Sequence, residues 1–262
     1  MNYTYISGAT GGIGKAFAFS CAEKGYALFL TARNIDKLSA LKSEIIQKFP
    51  NVTAEVCPCE LTDDASRREM YAFIEDKGIT FDRIIHVAGV DTQKAFCEFT
   101  YEKLLFQLRV NCESTAAITR ALLDKTVDKA EIITVGSMSG VTPMPYFALY
   151  SASKSFLESL FISLHYELKK RGIKVTVVLP GGVPTRPDVV KAIKEQGLWG
   201  RLSAKTPEFV AKKSLKAVAK NKLRYVPGFF NKFLYFTMKI LPLRVQLRFI
   251  ARRWSRISKD AF

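Results

Sequence analysis

Short, almost continuous apolar runs alternate with longer amphipathic stretches along this 262-residue chain. Residues 3–6, 27–31, 52–56, 83–87, 131–135 and 174–179 read as strands. Apolar side chains fall on both of their alternating faces, which suits a parallel sheet covered on each side. The intervening segments 12–24, 35–49, 63–77, 101–125 and 150–171 carry the helical period. A further helix over 207–220 leads into a seventh short strand at 223–226. This alternation predicts an α/β fold with one doubly wound parallel sheet of about seven strands and helices on both faces. Such sheets bind ligands beyond the carboxyl ends of their strands, where strand order reverses. No linker divides residues 1–228, and 229–262 form an extension after the last predicted strand.

Composition mainly excludes. At 48% hydrophobic and 24% charged, the chain reads as an ordinary globular domain with one core. Cys21, Cys57, Cys59, Cys97 and Cys112 form no CxxC pair, and with only two histidines they give no metal-ligand set. Reduced thiols and a cytoplasmic location are expected. With the first strand starting at about Tyr3, no signal peptide is expected. The most apolar late stretch, 229–241, contains two lysines and is shorter than the roughly 20 residues a membrane span needs. The net charge of +16 is uneven: residues 1–185 hold 21 basic and 20 acidic side chains, residues 186–262 hold 19 and 4. An anionic surface is the expected partner of the last third alone.

Chemistry enters at the end of the first strand, where Ser7-Gly8-Ala9-Thr10-Gly11-Gly12-Ile13-Gly14 opens a helix. Glycines let the backbone turn tightly against a pyrophosphate, which the free N–H groups and positive dipole end of the helix attract. Sheets that bind NAD place a carboxylate at the end of strand two for the ribose 2′-hydroxyl. Here Leu30-Thr31-Ala32-Arg33-Asn34 offers none before Asp36, whereas Arg33 can pair with a 2′-phosphate through its planar fork. NADP(H) is therefore the expected cofactor, with Lys15 adding charge nearby.

Ser137 follows the fifth strand, and Tyr150 and Lys154 lie four residues apart on one face of the next helix. A tyrosine and lysine at this spacing commonly mark no more than a surface helix. A serine at the carboxyl end of the preceding strand changes that reading. Carbonyl reduction needs a hydride donor and a proton donor at the oxygen. A tyrosine of pKa about 10 is a poor acid–base near neutrality until a cation lowers it. Lys154 is expected to supply that charge, Ser137 to donate a hydrogen bond as charge develops on the oxygen, and Tyr150 to pass the proton.

This ordered set, with Pro180-Gly181-Gly182-Val183-Pro184-Thr185 after the sixth strand, resembles the short-chain dehydrogenase/reductase family over residues 3–226. Ser7 stands where the family has threonine. The whole resembles bacterial-type members related to hydroxysteroid dehydrogenases and long-chain 3-ketoacyl reductases. The resemblance implies a single-domain Rossmann-type fold that interconverts a ketone and a secondary alcohol. It implies cofactor contacts from Ser7, Gly8, Thr10, Gly12, Ile13 and Gly14, and from Arg33 and Asn34. It adds Glu60 and Leu61, where the family places an aspartate, and Ala88 and Gly89. Asn111, Tyr150, Lys154, Pro180, Gly181, Val183 and Thr185 complete the set. Asn111 matches the family's fourth catalytic member, which holds a water that relays protons from Lys154. His86-Val87-Ala88-Gly89 replaces the family's Asn-Asn-Ala-Gly, and a packed histidine is expected at His86.

By the same resemblance, loop 186–205 covers the substrate, with Gly197 and Gly200 as hinges. Ser137, Val141, Met144, Phe147, Tyr150 and Trp199 then outline an apolar pocket; ordinary core packing is the alternative for each apolar member. A steroid or bile-acid ketone is the first expected substrate and a fatty-acyl ketone the second. The rival from another class is an NADP(H)-sensing protein without turnover, against which the intact Ser137, Tyr150 and Lys154 stand. In the tail, Leu243, Leu247, Ile250, Trp254 and Ile257 recur as an apolar stripe beside Arg244, Arg248, Arg252 and Arg256. A basic amphipathic helix of this kind reads as peripheral to a membrane surface; packing on the core or on another subunit is the alternative. A homo-oligomer is expected. A nucleic-acid partner is not, because no recognition motif accompanies the charge.

Overall fold

The computed structural model describes residues 1–255. Within them, strands β1 (Asn2–Ser7), β2 (Ala27–Ala32), β3 (Ala54–Pro58), β4 (Thr80–His86), β5 (Thr126–Val135), β6 (Lys174–Val178) and β7 (Arg224–Tyr225) form one parallel sheet, ordered 3-2-1-4-5-6-7. The connecting helices are α1 (Gly12–Ala22), α2 (Ile35–Lys48), α3 (Asp64–Asp76), α4 (Tyr101–Leu108), α5 (Ser114–Leu123), α6 (Ala148–Glu167), α7 (Pro187–Glu195), α8 (Gly197–Ser203) and α9 (Pro207–Ala219). Two more, α10 (Phe229–Ile240) and α11 (Leu243–Trp254), follow β7.

The two-sided hydrophobicity of the strands is what makes two layers of helix possible. Neighbouring residues point to opposite faces of a strand. Ile6, Leu28, Leu30, Ile85 and Ile133 face a core shared with α1, α2 and α9. Their neighbours Tyr5, Phe29, Ile84 and Ile132 face a second core shared with α3, α5 and α6. All nine are fully buried, and each contributes on the order of 1.5–3 kcal/mol of apolar burial.

Two predicted elements differ in detail. The third strand starts at Ala54, pairing with Leu28, because Val52 is drawn into the core from the turn before it. The long helix expected over 101–125 is interrupted by a wide π turn, Arg109–Glu113, between α4 and α5. Such single wide turns re-aim side chains inside a helix, and this one carries Asn111.

The extension is folded against the rest of the chain. The buried Asn231 donates to the carbonyls of Ser203 (2.8 Å) and Pro227 (2.7 Å). Gln246 ties α11 to α10 through the carbonyls of Met238 (2.8 Å) and Leu241 (2.7 Å). Ile250 and Trp254, from the expected apolar stripe, pack inward on Met144 and Phe147. Leu243 is exposed instead, and Arg256 and Ile257 lie outside the described residues.

Candidate active site

Strand order reverses beside β1: the chain steps outward through β2 to β3 on one side, then crosses back to β4 on the other. The carboxyl ends of β1 and β4 frame the crevice. Ser7 Oγ accepts from the backbone N–H groups of Val87 (3.0 Å) and Ala88 (3.2 Å), pinning these strand ends together. Ser7 is buried there, so its hydroxyl shapes the turn and does not face the crevice. Gly8 adopts φ +63°, and a Cβ on it would lie 3.0 Å from Ala88 Cα. A Cβ on Gly12 would lie 2.7 Å from Thr185 Cγ2, and one on Gly14 only 2.1 Å from the Gly8 carbonyl oxygen. Helix α1 begins here with no side-chain cap and no acidic residue in its first turn. Its N–H groups and dipole are left for an anion. These features fit the pyrophosphate of a dinucleotide. Thr10 is half-buried at this turn, and Ile13 and Val183 reach the adjoining cavity.

Around the adenosine end the residues divide. Arg33 is exposed just past β2, and no ion pair engages it among the described residues. Asn34 caps α2, accepting from Lys37 N (2.8 Å). Lys15, expected to add charge nearby, is paired with Glu44 at 2.7 Å, which offsets that charge. Glu60 Oε1 accepts from Thr62 N (3.1 Å) and Thr62 Oγ1 (2.9 Å), which turns the carboxylate into its own loop; Leu61 beside it is buried.

The second half of the site is polar and buried. Ser137, at the end of β5, accepts from Ser139 N (3.0 Å) and lines the same cavity as Tyr150. Lys154 lies one helical turn beyond Tyr150 on α6. Its Nζ donates to the Val135 carbonyl (3.0 Å) and sits 5.5 Å from the centre of the tyrosine ring. Gly89 lets this amine approach: a Cβ there would be 3.2 Å from Nζ. Asn111 is fully buried. Its Oδ1 accepts from Val90 N (2.8 Å), and its Nδ2 donates to the Val90 carbonyl (2.8 Å) and Ser153 Oγ (3.0 Å). Both amide hydrogens are therefore used on protein. The side chain clamps the loop after β4.

That clamp sets the position of Asp91, which the sequence reading missed. Arg186, directly after Thr185, donates to Asp91 (3.1 Å) and to Asp188 (3.2 Å) across the mouth of the cleft. Burial pushes the Tyr150 hydroxyl well above the usual tyrosine range; Asp91 adds to this, while Ser137 and Arg186 oppose it. Burial also pulls Lys154 down to about 8. Lys154 is not among the influences on Tyr150, contrary to the expected lowering; desolvation dominates, and the phenol stays protonated. His86 is a packed core histidine, 2.8 Å from Thr119 Oγ1 and wedged between Tyr5 and Phe161; burial holds it neutral, at about 3.

A cavity of about 410 Å³ opens over this floor. Ser137, Met144, Phe147, Tyr150 and Trp199 line it, as do Pro180 and Gly181. Val141 does not; it packs into the core beneath α6. The roof was not legible as a pocket wall in the sequence: Leu234 and Met238 of α10 and Ile250 and Trp254 of α11 complete it. Trp254 stacks on Phe147 at 5.7 Å between ring centres, and Phe147 stacks on Tyr150 at 4.5 Å. Thr142, also in the wall, has a buried hydroxyl with no partner among the described residues, a polar contact in otherwise apolar surroundings.

A family model described as short chain dehydrogenase matches residues 2–196. The chain belongs to that family. It is accordingly an oxidoreductase of carbonyl and alcohol groups that works with a nicotinamide cofactor. It is 29% identical over 250 residues to a very-long-chain 3-oxoacyl-CoA reductase-like protein of Arabidopsis thaliana, covering 92% of this chain and 77% of that one. It is 32% identical over 191 residues to a very-long-chain 3-oxoacyl-CoA reductase of Vanderwaltozyma polyspora, covering 68% of this chain and 54% of that protein. The short-chain dehydrogenase thus spans about half the length of that relative. Among solved structures, a 7beta-hydroxysteroid dehydrogenase superposes with a TM-score of 0.83 at 23% identity, covering 95% of this chain and 96% of the other. That likeness is one of fold. No described helix is long and apolar enough to cross a membrane.

Proposed function

We propose that this short-chain dehydrogenase uses NADP(H) to reduce the ketone of a long-chain 3-oxoacyl thioester to the secondary alcohol. The observation that carries the reading is the polar floor of Ser137, Tyr150 and Lys154 beneath a roof of apolar side chains from α10 and α11. The names of the sequence relatives supply the acyl class. A steroid ketone, the first expectation from sequence, has only likeness of fold behind it.

The Gly8–Gly14 turn and the start of α1 hold the pyrophosphate, Arg33 takes the 2′-phosphate, and the Pro180–Thr185 turn meets the nicotinamide end. When bound, the cofactor supplies the hydride to the carbonyl carbon. Ser137 and Tyr150 line the same floor of the cavity, so a substrate oxygen placed between their hydroxyls accepts from both. Tyr150, held protonated by burial, gives its proton to that oxygen as negative charge develops. Lys154 then stands one side chain away to steady the phenolate and return a proton. Asn111 acts at one remove, through the loop that carries Gly89 and Asp91.

NADPH consumption, followed with long- and short-chain 3-oxoacyl thioesters and a steroid ketone, tests the assignment. Long chains should exceed short ones in kcat/KM by about tenfold or more, as burial of several methylenes requires. Preference for the steroid would overturn the acyl reading. Tight NADPH binding with no turnover of any ketone would favour a sensing protein.

A further inference from the structure

Helices α10 and α11 leave one face that the core does not use and that the cavity reaches only at Phe249. On α10, Phe229, Lys232, Phe233, Phe236, Lys239 and Ile240 are exposed and recur every three or four residues, so they share a side of the helix. Phe229 and Ile240, at its two ends, are 87% and 82% exposed. The opposite side is committed to the protein through Asn231, Leu234 and Met238. On α11 the stripe suggested by the sequence turns inward at Ile250 and Trp254, and a different pair, Val245 and Phe249, faces out beside Arg244, Arg248 and Arg252. Leu241 and Leu243, flanking Pro242, carry the exposed apolar strip from one helix to the next.

The charge around this strip has one sign. No acidic residue occurs from 209 to 255. Exposed aromatic rings with lysines interleaved suit a helix lying in a lipid interface: the rings sink below the headgroups, and the lysine stems reach back to the phosphates. A second copy of the chain is a poorer occupant. A two-fold contact would bring lysines and arginines against their own copies, with no carboxylate to pair them. An anionic bilayer meets both the rings and the charge. Phe249 is at once exposed on this face and part of the cavity wall, so the face adjoins the cavity.

We infer that the α10–α11 face lies on an anionic lipid surface and opens the cavity to acyl chains held there. The surface stands on the exposed face itself; the supply of substrate rests on the 3-oxoacyl reading above. The full chain should sediment with phosphatidylcholine vesicles containing phosphatidylglycerol at low salt, and less with phosphatidylcholine alone. High salt should release part of it, because salt screens the charges and leaves the apolar contribution. The combined change Phe233→Ser, Phe236→Ser and Ile240→Ser should lower the partition coefficient at least about tenfold. Lys232→Glu with Lys239→Glu should lower it by about tenfold or more at low salt. These five side chains line no part of the cavity, so NADPH affinity and turnover of a short, soluble 3-oxoacyl substrate should persist in both variants. Indifference of the intact chain to phosphatidylglycerol vesicles at low salt overturns the surface. So does a serine variant that splits an oligomer on size exclusion while vesicle binding is unchanged. Binding is read without turnover, so a chain that binds vesicles yet reduces no 3-oxoacyl substrate overturns the proposed reaction and spares the surface. If vesicle-held long chains are reduced no faster than the same chains in detergent, the supply route is wrong.

Discussion

Floor and roof of the cleft use side chains in opposite ways. On the floor, polar groups are buried and bonded: Asn111 to Val90 and Ser153, Lys154 to Val135, Ser137 to Ser139. On the roof, Phe233, Phe236 and Phe249 are apolar and largely in water. The floor is held at strand ends and across a helix, where an unpaired buried polar group would cost about 1–3 kcal/mol, so its geometry is fixed. The roof is two helices whose inner sides pack on the cleft and whose outer sides have no protein partner among the described residues. On the proposed reading, the difference houses chemistry and substrate choice separately, and substitutions should separate them.

The largest effect is expected on the floor. Tyr150→Phe keeps the ring that stacks on Phe147 and removes the proton. Turnover should fall at least ~100-fold while NADPH still binds, as seen by fluorescence titration. Turnover near that of the intact enzyme would show that the proton comes from elsewhere. Next comes the cofactor end of the floor. Arg33→Ala removes a charge-assisted contact that only a 2′-phosphate can use. NADPH affinity should drop by about 1.5–3 kcal/mol with NADH affinity unchanged. Equal losses for both cofactors would place the phosphate away from Arg33.

The same division explains what could be read from the residues alone. The strands, the glycine turn and the Ser137–Tyr150–Lys154 spacing were legible because each is local: a period, a turn chemistry or a one-turn separation on a helix. Asp91 and Arg186 were not, although each sits within two residues of a motif, because their pairing joins positions 95 residues apart. Asn111 was legible as a residue and not as a contact, since the π turn that aims it has no propensity signal. The amphipathic pattern of the tail is legible, but it leaves open whether its apolar stripe meets a membrane surface or the core; on α11, Ile250 and Trp254 meet the core. A period of three or four defines a stripe without saying whether protein or another medium covers it. Which side turns inward was decided by Met144 and Phe147, about a hundred residues earlier in the chain.

A pH profile sharpens the contrast within the floor. Burial holds Lys154 at about 8 and Tyr150 well above its ordinary range. As pH rises through about 8, the lysine loses its charge before the tyrosine loses its proton. The rate of ketone reduction, measured as kcat/KM, should therefore decline above about 8, by up to about tenfold per unit. Lys154→Arg, charged throughout this range, should lower the rate yet hold its plateau to higher pH. A decline at the same pH in that variant would assign the titration to another group.

The smallest effect is expected where floor and roof meet. Trp254 reaches from α11 onto Phe147, which in turn lies on Tyr150, so among the described residues it is the one ring of the tail in line with the proton donor. It is only half-buried, and Trp254→Ala leaves the hydrogen bonds that hold α10 and α11 in place. Stacked rings contribute about 0.5–1.5 kcal/mol beyond their area, which corresponds to about a two- to twelvefold change in an equilibrium. If the ring serves only as roof, KM for a long-chain substrate should rise within that range, with kcat and the KM of a short soluble ketone unchanged. If the stack also positions Tyr150, kcat should fall for both substrates alike. Thermal unfolding of the variant guards the comparison: a large drop in Tm would mean that α11 is needed for the fold and that the separation of floor from roof fails at this residue.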